Sequence, residues 1–212
     1  MSFRIVALML ALIPLPAFAG AISLDGITFL EASDNIRLVA AGGSGTLEDP
    51  YVIQEEILGE GEAIIKVRID EASFGSRLGT THAIGFALRK EVTNRTARSW
   101  DFFVIELEFE VGKGSDYYDG LSFAQSTRAN RPFRSDRFVK VDDMTEPRDM
   151  IRFSDGRVDI ADSANFLVSI THTAPLPEFY LVQHIRRPFA MNPSPQRMVA
   201  DARSPQGQNA AQ

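Results

Sequence analysis

The chain has 212 residues, with 22 Lys and Arg against 28 Asp and Glu, a formal net charge of −6, and no cysteine. An acidic balance without a basic stripe repels phosphate backbones, so nucleic acid is excluded as a partner. The missing cysteines exclude disulfides and a thiol nucleophile, and they point to an exported bacterial protein whose core stands without cross-links.

The chain opens on "MSFRIVALMLALIPLPAFAG", in which Arg4 precedes an apolar run from Ile5 to Leu15 and then Ala17-Phe18-Ala19. A positive residue, an apolar stretch and a small-x-small site make a Sec signal peptide over residues 1–19, cleaved so that the mature chain starts near Gly20. The run is shorter than the roughly 20 residues that span a bilayer, and no later stretch is apolar for long enough, so no integral membrane segment is expected after cleavage. The protein is expected in the periplasm or outside the cell. With no cysteine after the apolar run, acylation as a lipoprotein is closed. Cleavage removes Arg4 and no acid, which leaves a mature domain more acidic still.

From residue 20 to 190 the apolar pattern has period two almost throughout. Strands are predicted in "NIRLVA", "PYVIQEEI", "EAIIKVRID", "THAIGFALRK", "RSWDFFVIELEFEVG", "RFVKV", "NFLVSITH" and "FYLVQHIRR". Turn signals lie between them: "AGGSGTLEDP", "GEGE", "GKGSDYYDG", and "FSDGRV", where Asp155-Gly156 suits a two-residue hairpin turn. Many short strands with no sustained helical period predict an all-β domain, an antiparallel β-sandwich of jelly-roll type. Ala124 to Pro132 reads as a surface loop, and residues 191–212, rich in Pro, Gln and Ala, as a disordered tail.

Chemistry-bearing residues are sparse. Glu106, Glu108 and Glu110 alternate along one predicted strand, so all three share a face, with Cα atoms of neighbours about 7 Å apart. Such a row can converge on a ligand, or it can be the charged outer side of a strand that resists edge pairing. Trp100, Tyr117 and Tyr118 are candidate ligand-binding aromatics, expected on a shared exposed patch. Asp116 and Asp119 on the glycine-flanked loop are a weak calcium candidate, since two carboxylates are fewer than most calcium sites use. Apart from calcium there, no cofactor is expected. If "TAPLP" turns a hairpin, His172 and His184 lie far apart along it, and His82 belongs to another strand, so no metal site is expected. Ser44 lacks the nucleophile-elbow context and its glycines lack a phosphate-loop lysine. The acidic "VDDMTEPRD" reads as a solvated connection, and Asn94-Arg95-Thr96 as a glycosylation sequon relevant only in a host with that machinery.

Two resemblances attach to these phrases. "ELEFE" resembles the Glu-x-Asp-x-Glu strand of laminarinase-like glycoside hydrolases, which implies Glu106 as nucleophile and Glu110 as acid/base in a retaining mechanism; Glu108 stands where that family has aspartate. "VTNRTARSWDFF", "YYDGLSFAQ", "IRFSDGRVDIADSANFLVSI" and "FYLVQ" together resemble the ectodomains of PEP-CTERM-type exported bacterial proteins over about Val92 to Gln183. That implies an extracellular β-sandwich associated with matrix or polysaccharide and transfers no catalytic residue. The sorting anchor of that family is missing, because Pro188 leads into a polar tail.

The expectation is an exported, non-catalytic β-sandwich that acts as a binding or structural component of the envelope or extracellular matrix, with polysaccharide or an envelope protein as partner. The alternatives are a laminarinase-like hydrolase using Glu106 and Glu110, and an assembly or adhesive subunit that offers a sheet edge to partner strands.

Overall fold

A computed structural model describes residues 20–70, 72–116, 118–124 and 133–186. The signal segment, Tyr117, most of the Ala124–Pro132 loop and the 191–212 tail lie outside the described residues. The elements are β1 (Ala21–Leu24), β2 (Ile27–Glu31), β3 (Ile36–Gly42), β4 (Tyr51–Ile57), β5 (Ala63–Ile69), β6 (Ile84–Asn94) and β7 (Trp100–Glu110). They continue with β8 (Lys113–Gly114), β9 (Leu121–Ser122), β10 (Arg134–Ser135), β11 (Phe138–Met144), β12 (Met150–Val158), β13 (Ser163–His172) and β14 (Glu178–His184). Among the described residues there is no helix, and so none long and apolar enough to cross a membrane.

These strands form the two layers of a β-sandwich. The larger sheet runs β1-β2-β5-β14-β7-β12-β11 with β8 attached to β7, and the smaller runs β10-β13-β6-β4-β3 with β9 attached to β13. Alternation accounts for the layering: in β5, Ala63, Ile65, Val67 and Ile69 face inward while Lys66 and Arg68 face out. Aromatic rings from both layers interlock in between. Phe86 of the smaller sheet meets Phe179 of the larger at 6.4 Å between centroids, and Phe103 stacks on Phe166 at 4.4 Å. Each buried ring of this kind contributes on the order of 2–3 kcal/mol through burial alone.

Several expectations change. One pair is parallel: β4 and β6 run side by side in the same direction. The chain leaves β4 for β5 in the other sheet and then returns to the smaller sheet, which brings β6 in alongside β4 without a hairpin. Asp155-Gly156 is no hairpin turn. It lies inside β12, where the register against β7 shifts between Ser154 and Val158, and Asp155 has φ of 60°. The left-handed residue belongs to a β-bulge. Likewise "TAPLP" joins no hairpin, because it carries the chain from β13 in one sheet to β14 in the other. Strands β1, β2 and β12 were not evident in the sequence. In β12 the first residues are covered on both faces, with Met150, Ile151 and Phe153 buried and Arg152 half-buried, so the polar alternation that marks a half-exposed strand is weak there.

The Asn-x-Thr-to-Trp phrase is an internal corner between β6 and β7. Asn94 Oδ1 accepts from the Thr96 amide and hydroxyl at 2.9 and 2.7 Å, while its Nδ2 donates to the carbonyls of Arg98, Asp159 and Val158. Trp100 Nε1 then donates to Thr96 Oγ1 at 3.1 Å. The corner therefore satisfies the backbone groups of two connections and seats the indole in the core.

Candidate functional site

The glutamate row lies on β7, and two of its three members are buried. Phe103, Ile105 and Leu107 face the sandwich interior, so Phe102, Val104, Glu106, Glu108 and Glu110 point from the outer face of the larger sheet. That face is not uniformly wet. Phe102, Val104 and Met150 form a second apolar cluster there, with Met144 packed against it. Glu106 and Glu108 continue the same row with 3% and 4% exposure, whereas Glu110 is exposed.

Buried carboxylates need partners. Register places Glu106 between Val182 of β14 and Met150 of β12. Two residues before Met150, Arg148 reaches back over the row, its Nη1 at 2.8 Å from Glu106 Oε1 and 3.9 Å from Glu108 Oε1. His184, at the end of β14, puts Nε2 at 3.3 Å from Glu106 Oε2 and Nδ1 at 3.9 Å from Glu62. The Nε2 contact is close but lacks hydrogen-bond alignment. Glu108 Oε2 accepts from the Gly112 amide at 2.7 Å. Gly114 passes beneath; a Cβ there would meet Glu106 Oε1 at 2.9 Å and the Arg148 stem at 3.0 Å.

The two carboxyl groups are pushed apart in acidity. Burial raises the Glu106 carboxyl, but the neighbouring His184 and Arg148 together outweigh it and hold Glu106 below the usual range. Burial also raises Glu108, the Gly112 amide opposes it only in part, and the negative charge of Glu106 adds to the rise. Neighbouring carboxyls split in this way are what acid–base chemistry uses. Here, however, the group that resemblance assigned as nucleophile, Glu106, is occupied by a guanidinium, and its assigned partner Glu110 stands outside the cluster.

Comparison with protein-family models, with curated proteins and with solved structures finds no match to this chain.

The other candidates fall into separate places. Trp100 is 2% exposed and packs on Phe103, so it offers no face to a ligand, and the expected shared aromatic patch loses its main member. The indole is buried because its one donor is already satisfied inside, by Thr96. Tyr118 is 86% exposed, and Tyr117 lies outside the described residues. Asp116 and Asp119 act as loop braces. Asp119 accepts from Ser115 Oγ and from the amides of Asp116 and Leu121, and Asp116 accepts from the Tyr118 amide. Both oxygens of Asp119 and one of Asp116 thus accept from N–H and O–H donors, and among the described residues no group of three or more His, Cys, Asp or Glu could hold a metal ion.

Sequence reasoning missed Arg148 and Glu62, and it weighed His184 only as a metal ligand. Arg148 lies in the acidic phrase read as a solvated connection, and only the β12–β7 register brings it onto Glu106. Nothing local in the sequence encodes that pairing. Two clefts also went unforeseen. Both flank β10: one of about 400 Å³ includes Glu48, Arg89, Arg134 and Asn165, and one of about 300 Å³ includes Arg134, Arg137 and Val139.

Proposed function

We propose that the chain is an exported, non-catalytic β-sandwich that serves as a structural component of the bacterial envelope or extracellular matrix. The observation that carries the reading is the internal closure of the glutamate row. Arg148 spans Glu106 and Glu108, the Gly112 amide bonds the other oxygen of Glu108, and Phe102, Val104 and Met150 pack further along the same face. A carboxylate held in this way braces a hairpin loop against a sheet. The signal-like opening and the cysteine-free acidic composition support export.

Within that reading, assembly through a sheet edge has a specific support. Strand β11 ends the larger sheet, and its Val139 is 84% exposed beside the smaller cleft. An apolar residue on an edge strand is the feature that strand addition uses and that soluble monomers usually blunt. Sedimentation velocity of the mature chain over a concentration series tests this, alongside incubation with a panel of β-glucans. Concentration-dependent association that Val139→Lys removes, with no sugar release, is the expected result. A monomer at every concentration that binds a glycan saturably would favour the binding-module reading. Sugar release abolished by Glu106→Gln would replace the proposal with the hydrolase reading.

A further inference from the structure

The carboxylate of Glu31 sits where the edge strands of the two sheets meet, β1 of the larger beside β3 of the smaller. Glu31 is the last residue of β2, and its backbone amide donates to the Gly20 carbonyl at 2.9 Å, one step beyond the Ala21–Leu30 pair of the β1–β2 ladder. Its side chain turns back toward the same partner. Oε2 accepts from the Gly20 nitrogen at 2.8 Å, and Oε1 accepts from the Leu38 amide of β3 at 2.7 Å. One carboxylate thus ties the start of β1 and the end of β2 to the edge of the opposite sheet.

Glu31 is half-buried, and a charge taken partly out of water calls for an opposite charge. Both of its oxygens meet backbone nitrogens, and among the described residues no Lys, Arg or His forms an ion pair with it. The residue beside it is a glycine of necessity. A Cβ at position 20 would run into the Glu31 carboxyl group and push it off the nitrogen. Gly20 is also the residue that follows Ala17-Phe18-Ala19, the small-x-small site of the signal segment.

We propose that Gly20 is the mature N-terminus and that its freed α-ammonium is the cation Glu31 lacks, so that removal of the signal segment completes the closure of this sandwich edge. The inference rests on the export reading above. Hydrolysis of the Ala19–Gly20 bond takes up one water. Ala19 leaves with the signal segment as a carboxylate, and the Gly20 nitrogen, an amide with one proton, becomes an ammonium with three. The nitrogen stays where it is, while a neutral contact turns into a charge-assisted one, which is roughly twice as strong. With the signal segment attached, the carboxylate is in place and the positive charge is not. The edge is therefore held more weakly before processing than after it, an order that suits a chain threaded through a membrane before it folds.

Secretion of the full-length chain from a bacterial host, followed by N-terminal sequencing, tests the terminus; the expected reading is Gly-Ala-Ile-Ser. The ion pair is tested by comparing the mature chain with one that starts a residue earlier, at Ala19, where the Gly20 nitrogen is an amide again. Each is made with Glu31 and with Glu31→Gln. With Glu31 the added residue should lower the thermal midpoint by about 1–4 °C, and with Glu31→Gln it should have little effect. The difference should also shrink in about 1 M salt, a readout that does not depend on the Glu31→Gln chain folding well. A first residue other than Gly20 overturns the proposal, and a signal segment that is never removed overturns the export reading with it. Processing at Gly20 with equal midpoints for the two lengths, or with a difference that neither Glu31→Gln nor salt reduces, overturns the ion pair and leaves export standing.

Discussion

Asn94 holds more of the fold than its place in a surface-like sequon suggests. Its amide group satisfies carbonyls on two connections, and Thr96 passes that order on to Trp100. Asn94→Ala is expected to cost about 2–4 kcal/mol in urea denaturation, because it leaves buried carbonyls without donors. The glutamate row makes a prediction of opposite sign at each of its two buried members. Glu106 has a depressed folded pKa, so its stabilising share is present above the unfolded value and is lost as pH falls through the folded one. Glu106→Gln should lower stability by about 1–2 kcal/mol near neutral pH, a figure discounted because Arg148 is half exposed, and should converge on wild type in acid. Glu108 has a raised folded pKa, so the folded state holds its proton more tightly than the unfolded chain does. Stability is then lost as pH rises from the usual carboxyl range through that raised value. Glu108→Gln should stabilise the protein near neutral pH, with the gain vanishing in acid. Unfolding curves of both variants at two pH values check the pair of signs.

Among the elements, β12 holds the glycine with the least room for an added side chain. At its bulge, a Cβ on Gly156 would sit 1.9 Å from the Arg137 carbonyl oxygen, which is backbone and has no flexible end to yield. Gly156→Ala is therefore expected to lower stability by about 1–3 kcal/mol, read as a drop in thermal midpoint, and to loosen β11 first. The same glycine explains what was and was not legible here. "DGRV" announced a left-handed residue correctly, since Asp155 has φ of 60°, yet a turn and a bulge ask for the same residues. Whether the chain reverses after them depends on the partner strand, and that is not written locally.

For the whole molecule, the alternation of apolar residues sufficed to read two packed sheets, because each strand must bury one face. It could not give strand order, the parallel β4–β6 pair or the crossing between β13 and β14, since these depend on contacts distant in sequence. The candidate site shows the same limit. Glu106 and Glu108 were visible as a row, but their burial was not, because Arg148 and His184 reach them only through the register of β12 and β14. Trp100 misled for a related reason: its residue type suits a sugar platform, while the Asn94–Thr96 corner that claims it looks like a surface sequon.

Trp100, Glu106 and Glu108 are placed as internal braces rather than as a ligand face. Trp100 is the single tryptophan of the chain, so its fluorescence reads that claim directly. Titration of the folded protein with soluble polysaccharides, with and without calcium, should show blue-shifted emission that no sugar alters and that iodide quenches weakly. A red-shifted, readily quenched emission, or a saturable shift on adding a polysaccharide, would contradict it.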